Sequence, residues 1–386
     1  MKHYTNNARW LQLFAPFRAL SISAAYLTPF FLSKGMSQAE IFSLQSIFSL
    51  AYVFWEIPSG YIADRFGRAW SIKVSAPIAS VAMIAYAFCE GFWQFALCEL
   101  VLALANGLIS GVDTALLYDS LKAEQREEEF VPISQRINAY GFGSVAVGVP
   151  VAMLLVSNFS LRSTLIADGI LTALGAIVVF RLVEAPTHAS EEAEAVAVWK
   201  SALNLLRNQR ARWIIALGAL LSTATYLAAW LAAPYYVQLG LPLWSFSVIL
   251  ATRSMYKAVL AHKFHSEHRL GSQFIGFVGL AALAYIAMAS GTVWLIWAVL
   301  GHDTVQALHE PPLTKRLNEY IEPQLRATLN SVANLVRRLT FALSGPLVGY
   351  MVDRIGLSAG LGVLGVCFGI LCSLALGKLV YLKVLR

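Results

Sequence analysis

Charged residues are scarce in this sequence, since aspartate, glutamate, lysine and arginine make up only 13% of its 386 residues. A soluble domain carries roughly 25% charged residues, and disordered chains are richer in charge and poorer in apolar residues than this one. The hydrophobic fraction is 58% and the mean hydropathy is +0.63. The composition therefore excludes a soluble globular domain and a disordered protein, and it predicts a chain that mostly faces lipid.

Cysteine is also rare, and the sequence lacks the common catalytic motifs. The four cysteines lie in apolar segments without the histidine spacing of a zinc site: Cys89, Cys98, Cys367 and Cys372. No G-x-x-x-x-G-K-[S/T] phosphate-binding loop occurs, and no Ser/His/Asp set stands in a recognisable catalytic motif. We therefore expect no metal, no cofactor, no catalytic residue and no ATP hydrolysis by this chain alone.

Long apolar segments are abundant. About 20 apolar residues are needed for a helix to span a bilayer, and helices are the default there because lipid offers no partner for unpaired backbone groups. This measure predicts an all-α integral membrane protein with about twelve transmembrane helices. The predicted spans are Leu11–Leu32, Ala39–Pro58, Trp70–Cys89, Phe92–Tyr118, Val131–Val156, Leu161–Val183, Trp213–Val237, Leu243–His262, Gly271–Ser290, Thr292–Pro312, Ala327–Met351 and Leu357–Leu382.

The formal charge of +7 is distributed in a way that argues against nucleic acid as a partner, because the basic residues cluster at the ends of apolar segments. Most basic loop residues fall in one alternating set of loops, while the other set holds only Lys34, Arg162 and Arg354. Cytoplasmic loops carry the excess of lysine and arginine. The pattern therefore predicts a multi-pass protein of the plasma (inner) membrane with both termini in the cytoplasm.

The sequence divides near its middle, and its two halves echo each other. We predict an N-terminal bundle at residues 1–183, a cytoplasmic linker at 184–212 and a C-terminal bundle at 213–386. The linker mixes apolar and basic residues at helical spacing, which favours a surface helix; the alternative is a simple connection. Two octapeptides recur, Pro29–Met36 in Pro234–Leu241 and Gly60–Gly67 in Gly349–Gly356. By the span count the second pair lies on opposite sides of the membrane, as in inverted repeats.

The stretch between the second and third predicted spans reads SGYIADRFGR, from Ser59 to Arg68. It resembles the loop between helices 2 and 3 of the major facilitator superfamily, G-x-L-A-D-R-x-G-R-K, with isoleucine in place of the leucine and Ala69 in place of the lysine. The resemblance implies two pseudo-symmetric six-helix bundles and a secondary transporter working by alternating access. It also implies a conformational latch at Gly60, Asp64, Arg65, Gly67 and Arg68. The alternative is a charged turn that only sets topology.

The same family layout places helices 1, 4, 7 and 10 around a central cavity. Ionisable groups within spans are costly and usually face a cavity or a partner. The candidates for substrate binding or proton coupling are Arg18, Asp113, Tyr226, Trp230, Arg253, His302, Asp303, Gln306, His309, Glu310 and Arg338. The alternative is that such groups satisfy one another between helices. We interpret Asp168 as structural.

Positive charge at depth suggests the sign of the substrate. Two further cations lie in these spans, Lys257 and Arg337. Either Asp303 and Glu310 neutralise some of the cations or an anionic ligand does. Because arginine holds carboxylate or phosphate in a two-pronged geometry, we expect an anionic or zwitterionic small molecule. If some arginines face away from the cavity, amphiphilic cations are expected instead, as in multidrug exporters.

Protons and lipid are the other expected partners, and we expect a monomer. A proton could be carried by Asp113, Asp303 or Glu310, or by a histidine, whose ordinary pKa is near neutrality. Two rival functions are an intramembrane enzyme using His302, Asp303 and His309, and a non-transporting receptor. The enzyme is disfavoured because it does not explain the repeats.

Overall fold

A computed structural model describes residues 6–186, 208–263, 270–320 and 326–385, and every regular element in these ranges is helical. The first eight α-helices are α1 (Asn7–Ala19), α2 (Leu27–Ser33), α3 (Gln38–Phe66), α4 (Arg68–Tyr86), α5 (Phe92–Ile109), α6 (Val112–Ala123), α7 (Phe130–Asn158) and α8 (Leu161–Val179). The others are α9 (Gln209–Gln238), α10 (Ser245–Lys263), α11 (Leu270–Ala289), α12 (Val299–Leu308), α13 (Glu310–Glu319), α14 (Arg326–Ile355) and α15 (Leu357–Tyr381). Most of the predicted linker lies outside the described residues.

Each of the twelve predicted spans coincides with one or two of these helices, so the all-α prediction is confirmed. Three spans that we expected to be continuous are interrupted. The first breaks between α1 and α2, and the fourth breaks at Ser110 and Gly111 between α5 and α6. The tenth begins as a 3₁₀ segment, Val293–Ala298, and changes helix at His309. Hydropathy does not reveal such breaks, because the interrupted segments stay apolar.

By length and composition, seven helical segments of the described chain could cross a membrane, or eight if the two parts of α3 count as one span. Those two parts meet at Pro58 with a bend of 46°, because proline removes a backbone donor from the helix. The other predicted spans are short pieces or contain several charges, as α10 and α14 do. They are also the spans that carry most of the candidate residues.

The described residues divide into two compact units. The first unit comprises residues 6–36, 47–186 and 243–251, and the second comprises 37–46, 208–242 and 252–385. In the first unit α4 packs along α5 and α8, and α1 packs along α7. Its core includes Leu11, Ile72, Leu116 and Val179, all buried. In the second unit α9 is the central helix and contacts five others, α11 to α15.

Both sequence repeats are also structural repeats. At the ends of α2 and α9, Met36 N donates to Phe31 O and Leu241 N to Tyr236 O, which is the same helix-terminating pattern. At the ends of α3 and α14, Arg65 donates to the Tyr61 hydroxyl at 2.9 Å and Arg354 to the Tyr350 hydroxyl at 3.0 Å.

The last glycine of each Gly60–Gly67 repeat makes the turn into the next helix. Gly67 begins α4 at φ 109° and Gly356 begins α15 at φ 81°. Glycine adopts such positive φ values without steric cost. The repeat therefore preserves the turn together with the Arg–Tyr contact.

In the second unit, the end of α14 is attached to residues 37–46. Asp353 accepts hydrogen bonds from the backbone N–H groups of Gln38 and Ala39, each at 2.9 Å. A negative charge at the first turn of α3 complements the unpaired N–H groups and the dipole of that helix. Gly349 lies so close that an added Cβ would be 2.5 Å from Gln38 O and 2.6 Å from Ala39 Cα.

This close approach gives a first prediction. Gly349→Ala should destabilise the protein by about 1–3 kcal/mol, the usual cost of overpacking, because the clash is with backbone. The matched control is Gly276→Ala in α11, where an added Cβ would meet nothing within 4 Å; alanine should stabilise that helix by up to about 1 kcal/mol. Thermal unfolding of the purified variants measures both effects. Equal melting temperatures for the two variants would contradict the prediction.

Candidate functional site

A first cluster of candidate residues lies in the first unit, where two spans are broken. Arg18 is in the last turn of α1, just before one break, and Asp113 is in the first turn of α6, just after the other. Their side chains form an ion pair, with 42% of the arginine and 22% of the aspartate exposed. The structure therefore brings together two residues that the sequence placed on separate spans.

Both breaks are held by polar side chains from neighbouring helices. Next to Arg18, the buried carboxylate of Asp168 on α8 accepts hydrogen bonds from Ile22 and Ser23. Next to Asp113, the Tyr52 hydroxyl on α3 donates to Ser110 Oγ at 2.8 Å. A polar side chain of a different helix therefore hydrogen-bonds to the chain at each break.

A second cluster lies in the second unit between α10 and α12. Arg253 grips Asp303 in a two-pronged ion pair, Nε to Oδ2 at 2.7 Å and Nη2 to Oδ1 at 3.0 Å. Only 8% of the arginine side chain and 2% of the aspartate are exposed. One turn along α10, Lys257 donates to Gln306 at 2.9 Å and lies 3.8 Å from Asp303. This network joins three predicted site residues with Lys257.

The second cluster continues on α9, α13 and α14. Arg337 pairs with Glu310 at 3.0 Å, although half of the glutamate remains exposed. The ring of Tyr226, which is also half exposed, packs against Phe341 of α14 with 6.1 Å between centroids. Arg338 and Trp230 are partly buried. The second unit thus contains the Arg253–Asp303 pair together with charged and aromatic side chains of α9, α13 and α14.

The two candidate histidines have different surroundings. His309 Nδ1 lies 2.7 Å from Val305 O, and its Nε2 lies 3.0 Å from Ser222 Oγ. Because a carbonyl oxygen only accepts, Nδ1 carries a proton there. His302 is buried against the ring of Tyr285, with centroids 4.2 Å apart, and neither ring nitrogen has a hydrogen-bond partner among the described residues.

The sequence left two explanations for the deep cations open, and the structure favours the first, because carboxylates pair with several of them. Asp303 pairs with Arg253 and Glu310 with Arg337. The second unit nevertheless contains four such cations, with Lys257 and Arg338, against these two carboxylates. By number alone, these four cations exceed the two carboxylates.

The predicted latch is helical where we expected a loop. Gly60, Asp64 and Arg65 belong to α3, which continues to Phe66, and only Gly67 turns the chain. The wrong expectation arose because charged residues and glycines usually mark turns, whereas here they continue an exposed helix end. The side chain of Asp64 is exposed.

Arg68 is engaged with two acidic residues that the sequence analysis missed. Its side chain pairs with Asp119 of α6. The carboxylate of Glu184 accepts from the backbone N–H groups of Arg68 and Ala69, at 2.5 and 3.0 Å, and thereby caps α4. Glu184 was visible only as the first residue of the polar stretch, and Asp119 only as an acid at the end of a span.

Among the described residues, no group of three or more His, Cys, Asp or Glu side chains could hold a metal ion. The three residues considered for an intramembrane enzyme also have separate contacts. His302 meets the ring of Tyr285 edge-on, Asp303 binds Arg253, and His309 contacts Ser222. Within the part of the chain that the structure describes, no hydrogen bond or ion pair joins any two of the three.

Comparison with known families and proteins gives a consistent result. The family model of the Major Facilitator Superfamily matches residues 11–344. The chain is 27% identical over 199 residues to the uncharacterized transporter YybO of Bacillus subtilis (strain 168), a match covering 50% of this chain and 41% of YybO. It is 21% identical over 356 residues to the uncharacterized MFS-type transporter YxaM of the same organism, covering 88% of each.

Solved structures share the fold over nearly the whole chain. A variant of the nucleoside transporter NupG has a TM-score of 0.82 at 16% identity, covering 99% of this chain and 100% of that one. A bacterial homolog of the human lysosomal transporter Spinster has a TM-score of 0.75 at 15% identity, covering 98% and 96%. The D-xylose-proton symporter has a TM-score of 0.67 at 15% identity, covering 96% of each. At these identities the likeness shows the fold alone.

Proposed function

The chain belongs to the Major Facilitator Superfamily, and we propose that it is a secondary transporter that carries a small organic solute by alternating access. Its fold is the predicted all-α membrane fold of about twelve spans in two pseudo-symmetric bundles. The observation that carries the proposal is the position of the ionisable residues. They lie at broken spans or on charged helices, and such residues in a membrane usually serve a pathway.

We propose that transport is coupled to protons. A proton carrier must gain and lose a proton as access alternates. Asp113 and Glu310 suit this role because each is partly exposed and each pairs with an arginine. If the arginine contact breaks and re-forms as access alternates, each carboxylate meets two different electrostatic environments, as a proton carrier requires. The buried histidines are the alternative carriers.

The proposed substrate is anionic or zwitterionic. The number of arginine and lysine side chains among the candidate residues of the second unit supports this choice, and the exposed ring of Tyr226 could pack against an apolar part of the solute. Some similar structures are of proteins named for nucleosides and for D-xylose, so neutral solutes belong in the test. Amphiphilic cations are the substrates expected of a multidrug exporter.

Ligand binding to the folded state raises its apparent stability, so a thermal-shift screen tests the proposal directly. The panel contains aromatic carboxylates, zwitterionic amino acids, organic phosphates, nucleosides, pentoses and amphiphilic cations. Each solute that stabilises the protein is then used for uptake into proteoliposomes with and without an imposed pH gradient. A shift by anions that Arg338→Gln abolishes supports the charge assignment. A shift by cations that Arg338→Gln strengthens contradicts it. Uptake that ignores the pH gradient contradicts proton coupling.

For orientation we propose cytoplasmic termini in the plasma membrane. Two of the basic residues in the loop set predicted to lie outside, Lys34 and Arg162, both pair with Glu90, at 2.6 and 3.0 Å. The hydrogen bond from Lys34 lowers the pKa of this exposed carboxyl. The loop-charge rule counts lysine and arginine, and this loop set holds only three of them, Lys34, Arg162 and Arg354. The variant Glu90→Cys tests the assignment, because an impermeant thiol reagent added outside intact cells should label the new cysteine.

Asp64→Asn tests the latch. We expect slower transport with unchanged membrane insertion, because the substitution removes the charge but keeps the shape of an exposed side chain. The matched control is Glu128→Gln, an exposed carboxylate in the short 3₁₀ segment before α7. Initial uptake rates, corrected for the amount of inserted protein, provide the measurement. If both variants transport like the wild type, Asp64 has no latch function.

A further inference from the structure

The carboxylate of Asp168 binds three consecutive residues of the interrupted first span. It accepts from the backbone N–H of Ile22 at 2.6 Å and of Ser23 at 2.9 Å. It also accepts from the hydroxyls of Ser23 at 2.5 Å and Ser21 at 3.2 Å. The aspartate is only 4% exposed, so four hydrogen bonds of a buried acid are directed at one short stretch.

These hydrogen bonds replace those of a helix. In a continuous helix the N–H of Ile22 would donate to Arg18 O, and the N–H of Ser23 to Ala19 O. An unpaired N–H inside a membrane protein is costly, so a break survives only if other acceptors are supplied. Asp168 supplies both acceptors and thereby competes with the backbone carbonyls of Arg18 and Ala19.

The helix that carries Asp168 is firmly seated. At the next residue, Gly169, an added Cβ would collide with the side chain of Ile84 on α4. Ser80 of α4 also donates to Gly169 O at 2.8 Å. The carboxylate is therefore presented to the broken segment from a closely packed pair of helices.

We propose that Asp168 is a positioning residue for transport: it holds the first span open after Ala19 so that Arg18 stays paired with Asp113. Asp168 contacts neither member of that pair and acts through residues 21–23. The inference rests on the proposed role of the Arg18–Asp113 pair in transport. It goes beyond our interpretation of Asp168 from sequence as structural.

The rate of chemical modification of the Arg18 side chain tests this role. Phenylglyoxal modifies accessible, unpaired guanidinium groups, and peptide mapping by mass spectrometry gives the rate at each arginine of the full chain in proteoliposomes. Asp168→Asn places an NH₂ donor where the carboxylate accepted, so it should raise the rate at Arg18 about tenfold, the factor that one charge-assisted hydrogen bond is worth. Asp113→Asn should raise it similarly. Arg126, paired with Glu124 and Glu129, is the internal reference.

Thr172→Val is the matched control, because the Thr172 hydroxyl donates only to the backbone carbonyl of Asp168, at 2.8 Å. It should leave the rate at Arg18 unchanged. If Asp113→Asn raises the rate at Arg18 and Asp168→Asn does not, the proposal is overturned while the ion pair stands. Should Asp168→Asn fail to insert, Ser23→Ala removes one of the four bonds, and an unchanged rate at Arg18 then overturns the proposal.

A kinetic measurement separates positioning from a general loss of folded protein. With a solute from the uptake panel, Asp168→Asn should raise KM by a larger factor than it lowers the maximal rate, because the site is displaced and not removed. A lower maximal rate with an unchanged KM would contradict the proposal. If no solute is transported, the proposed function fails, but the phenylglyoxal result still decides whether Asp168 positions Arg18.

Discussion

Asp303→Asn is expected to lower the free energy of unfolding by about 3–5 kcal/mol, the usual effect of leaving one member of a buried ion pair alone. The loss is large because Arg253 is almost fully buried and directs two donors at the missing carboxylate. Lys257, 3.8 Å from the same carboxylate, would add repulsion between two cations. A large decrease in the apparent melting temperature of the purified protein is the expected result.

The double variant Arg253→Gln/Asp303→Asn distinguishes stability from function. Replacing a buried ion pair by apolar residues of similar volume is often neutral, and the two amides likewise leave no uncompensated buried charge, so most of the lost stability should return. Lys257 tolerates the change because about a third of its side chain is exposed and its bond to Gln306 remains. If the pair belongs to the transport machinery, the stable double variant will be inactive.

Two results would contradict this prediction. A double variant that transports like the wild type would make the pair purely structural, as the interhelical alternative from sequence supposes. A single variant Asp303→Asn with normal stability would mean that the arginine finds another partner. Glu129→Gln is the control, because Glu129 and its partner Arg126 are each about half exposed, and surface pairs contribute only about 0–1 kcal/mol.

The sequence predicted the fold well because the fold depends on composition and period. Apolar runs of bilayer length give helices wherever they occur, and the two octapeptide repeats fixed the internal symmetry without any contact information. The echo of Gly60–Gly67 in Gly349–Gly356 extends to the Arg–Tyr hydrogen bonds. Such local features follow from neighbouring residues, so one sequence is enough to predict them.

The site was predicted as a set of residue types but not as a set of pairs. The free-energy cost of a charged side chain in lipid indicated that Arg253 needed a partner. The sequence did not distinguish Asp303, which lies 50 residues away, from Glu310 as that partner. The break after Ala19 depends on Asp168, which lies 146 positions from Ile22. Serine and isoleucine at the break resemble ordinary helix residues. Only the fold brings these distant groups together, so no local pattern could reveal them.

Arg18→Gln and Asp113→Asn are expected to reduce transport while leaving stability unchanged, whereas Asp303→Asn is expected to reduce stability. Both side chains of this pair are partly exposed, and such a pair contributes only about 0–1 kcal/mol, so the variants should fold normally. Transport should fall by about tenfold to a hundredfold, the range that corresponds to losing one charge-assisted hydrogen bond. Uptake of the panel solute and thermal unfolding, measured on the same preparations, provide the two values.

The two variants should differ in coupling. Asp113→Asn removes a group able to carry a proton, so its residual uptake should no longer respond to an imposed pH gradient. Arg18→Gln keeps the carboxyl group, so its uptake should be slow but still respond. Glu90→Gln is the matched control, because Glu90 also belongs to the first unit and pairs with two cations but lies outside the broken spans. If Asp113→Asn retains a full response to the gradient, the proton is carried by another group. Uptake by Glu310→Gln must then lose its response to the gradient if a carboxylate is the proton carrier.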